Sequence, residues 1–138
     1  MTTPKDLNKI AADTLRRLRA VSGKAGLGYN RPSVIWVDDF IEKQRKSGLA
    51  PQTVDGLIDN LGCYLGRCII ETYGGKWAEL EGGWAIQFDL KNAVFPFNKI
   101  AKQFQNGSED SILSMFELIP AVFPGVANFP GKPWWKFW

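Results

Sequence analysis

Cys63 and Cys68 lie five residues apart in the stretch LGCYLGRCIIETYGGKW, residues 61 to 77. Paired thiols can close a disulfide, hold a soft metal or act as a redox couple. On a helix this spacing opposes all three. Five residues at 100° each turn the chain through about 500°, so the thiols point in clearly different directions and cannot share a bridge or an ion. They read instead as small packing residues, the usual state of buried cysteine. Gly62 and Gly66, four apart in the same stretch, share one helix face and predict close approach by another backbone.

A second group is acidic. Asp38, Asp39 and Glu42 fall on one predicted helix, with Asp38 and Glu42 sharing a face at i, i+4. Such carboxylates can bind a divalent cation or work as an acid–base pair. A solvated face that also carries Lys43 and Arg45 accounts for them equally well. Glu79 and Glu81 beside Gly82-Gly83 read as exposed charges at a hairpin tip. The run Gly23 to Gly28 with Lys24 offers backbone N–H groups to a phosphate, but it lacks the GxxxxGK[ST] spacing and follows no strand. It reads as a flexible connector between helices.

The chain contains no histidine. That removes the commonest general base, the commonest metal ligand and the Ser-His and Cys-His nucleophile systems. No metal and no organic cofactor are expected, and no catalytic residue is assigned.

The elements that would position these residues follow from periodicity. Thr3-Pro4-Lys5-Asp6 combines a threonine cap, a proline in the first turn and an acid three residues on. Leu7, Ile10, Ala11, Leu15, Leu18 and Val21 then recur at helical spacing. Asn30-Arg31-Pro32-Ser33 opens a second helix with Val34, Trp36, Val37, Phe40 and Ile41 inward and Gly48 just past its end. A third follows Ala50-Pro51 and runs to about Tyr73, where Gly74-Gly75 stops it. Gly56, Gly62 and Gly66 fall inside it, each costing about 1 kcal/mol relative to alanine.

After Gly75 the period becomes two. KWAELE and WAIQFDL flank Gly82-Gly83, a hairpin signal. A two-residue turn at Gly82-Gly83 would place Glu79 and Glu81 on the apolar face. A three-residue loop at Glu81-Gly82-Gly83, with a bulge, pairs Leu80 with Trp84 and Ala78 with Ile86, and is the expected register. Asn92 suggests a further turn into a short strand, AVF. Phe97, Ile100, Ala101 and Phe104 mark a helix ending at Asn106-Gly107. Ser108-Glu109-Asp110 would cap another, carrying Ile112, Met115, Phe116 and Ile119 before Pro120. The fold class is therefore α+β, with helices packed on one face of a small antiparallel β-meander.

The 138 residues fit a single domain, 1–138, able to bury a core without disulfide or metal staples. Within it the N-terminal helix takes residues 1–22, a helix–sheet–helix core residues 30–119, and an aromatic tail residues 120–138. A hydrophobic fraction of 45% against 22% charged residues belongs to the ordinary globular class. There is no signal-peptide pattern and no apolar run of membrane-span length, and two cysteines without a secretory signal point to the reducing cytoplasm.

Leu61-Gly62-Cys63-Tyr64-Leu65-Gly66, Tyr73-Gly74-Gly75-Lys76-Trp77 and Asn106-Gly107-Ser108-Glu109-Asp110-Ser111-Ile112 together resemble the LGxYLGE helix, GGxW segment and NGxxDS cap of small bacterial domains of the DUF3806-like kind. The resemblance spans residues 30 to 118 and leaves out the tail. It implies a fold and no assigned chemistry. Where the pattern has an acid after the second glycine, this chain has Arg67.

Two surface features bear on partners. Residues 1 to 31 hold Lys5, Lys9, Arg16, Arg17, Arg19, Lys24 and Arg31 against Asp6 and Asp13. Aromatics do not interleave with these cations and no nucleic-acid module accompanies them, so nucleic acid is not an expected partner. The tail PGKPWWKFW places Trp134, Trp135, Phe137 and Trp138 in the last five residues. Contiguous apolar patches above a few hundred Å² are rarely left open, so such a tail folds back on its domain, meets another protein or enters a membrane interface. Prolines at 120, 124, 130 and 133 oppose an amphipathic anchoring helix.

The expected function is that of a non-enzymatic bacterial protein-binding domain in the cytoplasm. Its partner would be another protein, whether a toxin or a second copy. An immunity protein neutralising a secreted toxin suits the size and the missing histidine. The alternative is a small-ligand-binding or enzymatic domain built on Asp38, Asp39 and Glu42. Binding residues on these readings are Trp134, Trp135, Phe137 and Trp138, or the three acids.

Overall fold

Thr3 opens the first helix as its cap. Its hydroxyl accepts from the Asp6 amide at 3.2 Å, while the Asp6 carboxylate accepts from the Thr3 amide at 2.8 Å. These reciprocal bonds satisfy donors that a helix start leaves without partners. A computed structural model describes residues 1–123 and Val126 of the chain. Helix α1 spans Pro4–Ser22, α2 Arg31–Lys46 and α3 Pro51–Tyr73. Three strands follow: β1 Lys76–Leu80, β2 Gly83–Gln87 and β3 Ala93–Val94. Helix α4 covers Pro96–Asn106, a 3-10 turn Gly107–Asp110, and α5 Ile112–Val122.

The sheet is an antiparallel meander in the order β1-β2-β3. Trp77, Ile86 and Val94, on its apolar face, belong to the same buried core as Leu61, Leu65, Ile69, Ile100 and Phe116 from the helices. The architecture is α+β, with helices on that face.

The hairpin differs from the expected register. Trp77 pairs with Ile86, Ala78 with Ala85 and Glu79 with Trp84, around a two-residue turn at Glu81-Gly82 and without a bulge. Trp77 decides this. The expected slip would have turned its indole away from the core; in the observed pairing it is only 7% exposed and faces α3. The large apolar area of an indole outweighs the presence of Glu79 on the same face. That acid also remains exposed at the end of its strand.

Three smaller corrections follow. Val21 is 71% exposed and does not join the apolar stripe of α1, whereas Thr14 is buried and donates to the Ile10 carbonyl. Ser111, not Ser108-Glu109-Asp110, caps α5, its hydroxyl accepting from the Ser114 amide. Helix α5 also runs through Pro120 to Val122.

Gly62 and Gly66 do admit close neighbours, but the neighbours are aromatic rings rather than a backbone. A Cβ on Gly66 would fall inside the indole of Trp77, and one on Gly62 inside the ring of Phe97. Gly56 is different: a Cβ there would meet open space.

Candidate functional site

The acids of α2 hold helices together. Asp38 accepts from the Ser111 hydroxyl at 2.6 Å and the Leu113 amide at 3.3 Å, so its carboxylate sits at the N-terminus of α5, where negative charge is favoured. Glu42, one turn on, accepts from Gln103 at 3.2 Å and from Arg45 at 3.3 Å. Gln103 is fully buried, and its side-chain oxygen accepts from the Ile112 amide at 2.8 Å. Arg45 also donates to the Phe104 carbonyl near the end of α4. One network thus joins α2, α4 and α5, with Asp38 and Glu42 as its anionic ends.

Asp39 lies apart from it, in an exposed ion pair with Lys43 at 2.9 Å. Gln103, Arg45 and Ser111 were not singled out from the sequence. The available signal was a glutamine three residues after Ile100, at a core position of α4.

The glycine-rich connector is bonded to itself and to its neighbours. The Lys24 amide donates to Ser22, the Leu27 amide to the Lys24 carbonyl, and the Gly28 amide to Ser33. Arg19 and Tyr64 bond the carbonyls of Leu27 and Gly28. Three N–H groups that a phosphate would need are therefore engaged, and the end of the loop is fastened to α1 and α3.

Both cysteines are free thiols and almost fully buried. Burial pushes each up to about 12, the nearby Asp59 adding to the effect at Cys63. A thiol so raised is a poor nucleophile at neutral pH. Among the described residues, no group of three or more His, Cys, Asp or Glu side chains is placed to hold a metal ion. No helix among them is long and apolar enough to cross a membrane.

Of the basic residues near the N-terminus, Arg16 pairs with Asp13 and Arg31 with Glu117. Trp134, Trp135, Phe137 and Trp138 lie outside the described residues.

Several clefts open on the described residues, among them one of about 370 Å³ beside Leu49, Val54 and Phe104 and one of about 370 Å³ beside Met115 and Val122. A cleft of about 440 Å³ lies between the start of α1, the middle of α3 and the β1–β2 turn, lined by Ile10, Asp59, Trp84, Phe97 and Asn98 among others. Its size falls within the roughly 300–1,000 Å³ of small-ligand clefts. Trp84 and Phe97 are half-buried, and both rest on Trp77: Trp84 edge-on at 6.5 Å, Phe97 tilted at 6.0 Å. Gly62 and Gly66 let Phe97 and Trp77 lie against α3, and Phe97 lines the cleft. Trp84, paired with Glu79 across the hairpin, shares a sheet face with Trp77 and Ile86 and lines the cleft.

No family model, curated protein or solved structure matches the chain.

Proposed function

We propose that this chain is a non-enzymatic protein-binding domain. The observation that carries the reading is the bonding of Asp38 and Glu42. The carboxylates best placed in sequence for acid–base or metal chemistry are tied to Ser111, Leu113, Gln103 and Arg45, where they join helices. That arrangement weighs against the alternative of a ligand or catalytic site on α2. Half-buried aromatics beside the β1–β2 turn and the exposed Leu118 and Val122 of α5 leave apolar surface for a partner.

Within this class the proposed role is that of a bacterial immunity protein, resident in the cytoplasm and neutralising a secreted toxin. Its support is the small size, the absence of histidine and the resemblance of residues 30 to 118 to DUF3806-like domains. The test is affinity purification of the full chain from its native cell, then reconstitution of a stoichiometric complex from the two purified proteins. A reconstituted complex that inhibits a toxic partner supports the whole reading. Failure to isolate any stoichiometric protein partner, together with turnover of a small molecule lost in Asp38→Asn, overturns it. Deleting residues 132 to 138 in the same experiment asks whether the aromatic end contacts the partner. Unchanged melting with abolished binding assigns it to the interface; lowered melting assigns it to the domain's own packing.

A further inference from the structure

We propose that the cleft between the start of α1, the middle of α3 and the β1–β2 turn receives a lysine or arginine side chain from the partner protein. The proposal rests on the protein-binding reading and specifies what that partner presents.

The chemistry of the lining points to a cation with an apolar stem. Trp84 and Phe97 supply aromatic surface, and Ile10 adds an aliphatic neighbour. The polymethylene stem of lysine or arginine packs well on such surface while its charged head seeks an anion or a π-face. Asp59 supplies the anion. It is exposed on α3 and lines the cleft, and its charge reaches Cys63, one helical turn on.

The charge of Asp59 has no cation of the described residues paired with it. Among the acids without an ion pair to Lys or Arg in the described residues, Asp59 is the one that lines this cleft. No Lys or Arg among the described residues lines the cleft. The Asn98 side chain and the exposed backbone of Gly82 and Gly83 border the same space, offering polar groups to an ammonium or guanidinium head. An anionic group would meet Asp59 unfavourably, and a neutral apolar group would gain nothing from it.

The test uses the full chain and three small probes: the N-acetyl N-methylamides of lysine, arginine and norleucine. Norleucine keeps the stem of lysine and lacks the ammonium group. Binding is read from the indole N–H signal of Trp84 in ¹H–¹⁵N spectra, assigned with Trp84→Phe. Lysine and arginine probes should give saturable shifts, with norleucine about two- to fivefold weaker, the size of one exposed cation–π or charge contact. Asp59→Asn should bring the lysine probe down to the norleucine level without changing the melting temperature. Asp55→Asn, one turn earlier on the same helix, should leave binding unchanged.

Equal binding of norleucine, full binding by Asp59→Asn, or no saturable shift overturns the proposal. So does binding that appears only in Lys132→Ala/Lys136→Ala, which would give the cleft to the chain's own terminus. Any of these leaves the protein-binding reading to its own test, the reconstituted complex.

Discussion

The hydroxyl of Tyr73, at the last residue of α3, donates to the carbonyl oxygen of Phe116 in α5 at 2.8 Å. In a regular helix that carbonyl would accept from the amide of residue 120. Residue 120 is proline and has no N–H to give. Tyr73 thus supplies from another helix the donor that Pro120 removes, and its ring packs on Phe116 at 5.0 Å. A proline inside α5 is tolerated because α3 ends where it does.

Tyr73→Phe should therefore destabilise the chain by about 1–2 kcal/mol, the cost of a half-buried carbonyl left without a donor. In the Pro120→Ala background the residue-120 amide can take over, so the same change should cost about 1 kcal/mol less. A double-mutant cycle by urea unfolding measures this coupling. Zero coupling would separate Tyr73 from Pro120.

Gly56→Ala and Gly66→Ala should act in opposite directions. A methyl at position 56 meets open space, so helix propensity should add about 1 kcal/mol. A methyl at position 66 collides with the Trp77 indole, and overpacking of this kind costs about 1–3 kcal/mol. Gly66→Leu should be worse still, and worse than Cys63→Ala/Cys68→Ala. Thermal melts of the four variants give the order directly; a double cysteine variant less stable than Gly66→Leu refutes this packing account.

Gln103→Leu should cost about 1–3 kcal/mol although it adds apolar volume at a fully buried site. The change strips the Ile112 amide and Glu42 of a partner. Asp38→Ala should fall in the same range, because α5 loses an anion and two accepted bonds at its N-terminus. Denaturant unfolding of both variants checks this, and a neutral Gln103→Leu would mean the network contributes nothing net.

Alkaline pH should destabilise the chain through its thiols. Cys63 and Cys68 are raised from 9.0 to about 12 by burial, so between those values the unfolded chain releases protons that the folded chain retains. Stability from this source is fully present below pH 9 and falls as pH rises toward 12. Cys63→Ala/Cys68→Ala should show a shallower loss between pH 9 and 11 than the parent chain. Identical slopes in urea unfolding at pH 8, 9, 10 and 11 would remove the thiols from the account.

Much of the fold was legible locally. Thr3 and Asp6 form their capping box, Asn30 caps α2 through Ser33, and Gly74 ends α3 as the stop signal required. Such features depend on residues within one turn of each other, so sequence spacing carries them. The separation of Cys63 and Cys68 was legible for the same reason, since helical geometry alone sets their directions apart.

Tertiary structure decided what depends on a partner far along the chain. The hairpin register turned on Trp77, whose place against Gly66 no alternation of polar and apolar residues in KWAELE could reveal. Asp38 and Glu42 looked free on an isolated helix; Ser111 and Gln103, more than sixty residues away, engage them. Asp59 gained interest only when β2 and α4 brought Trp84 and Phe97 to its side. Side-chain type and spacing determine which face of an element is apolar. Which group arrives on that face is set by the close packing of elements joined by long connections, and that is a property of the folded core.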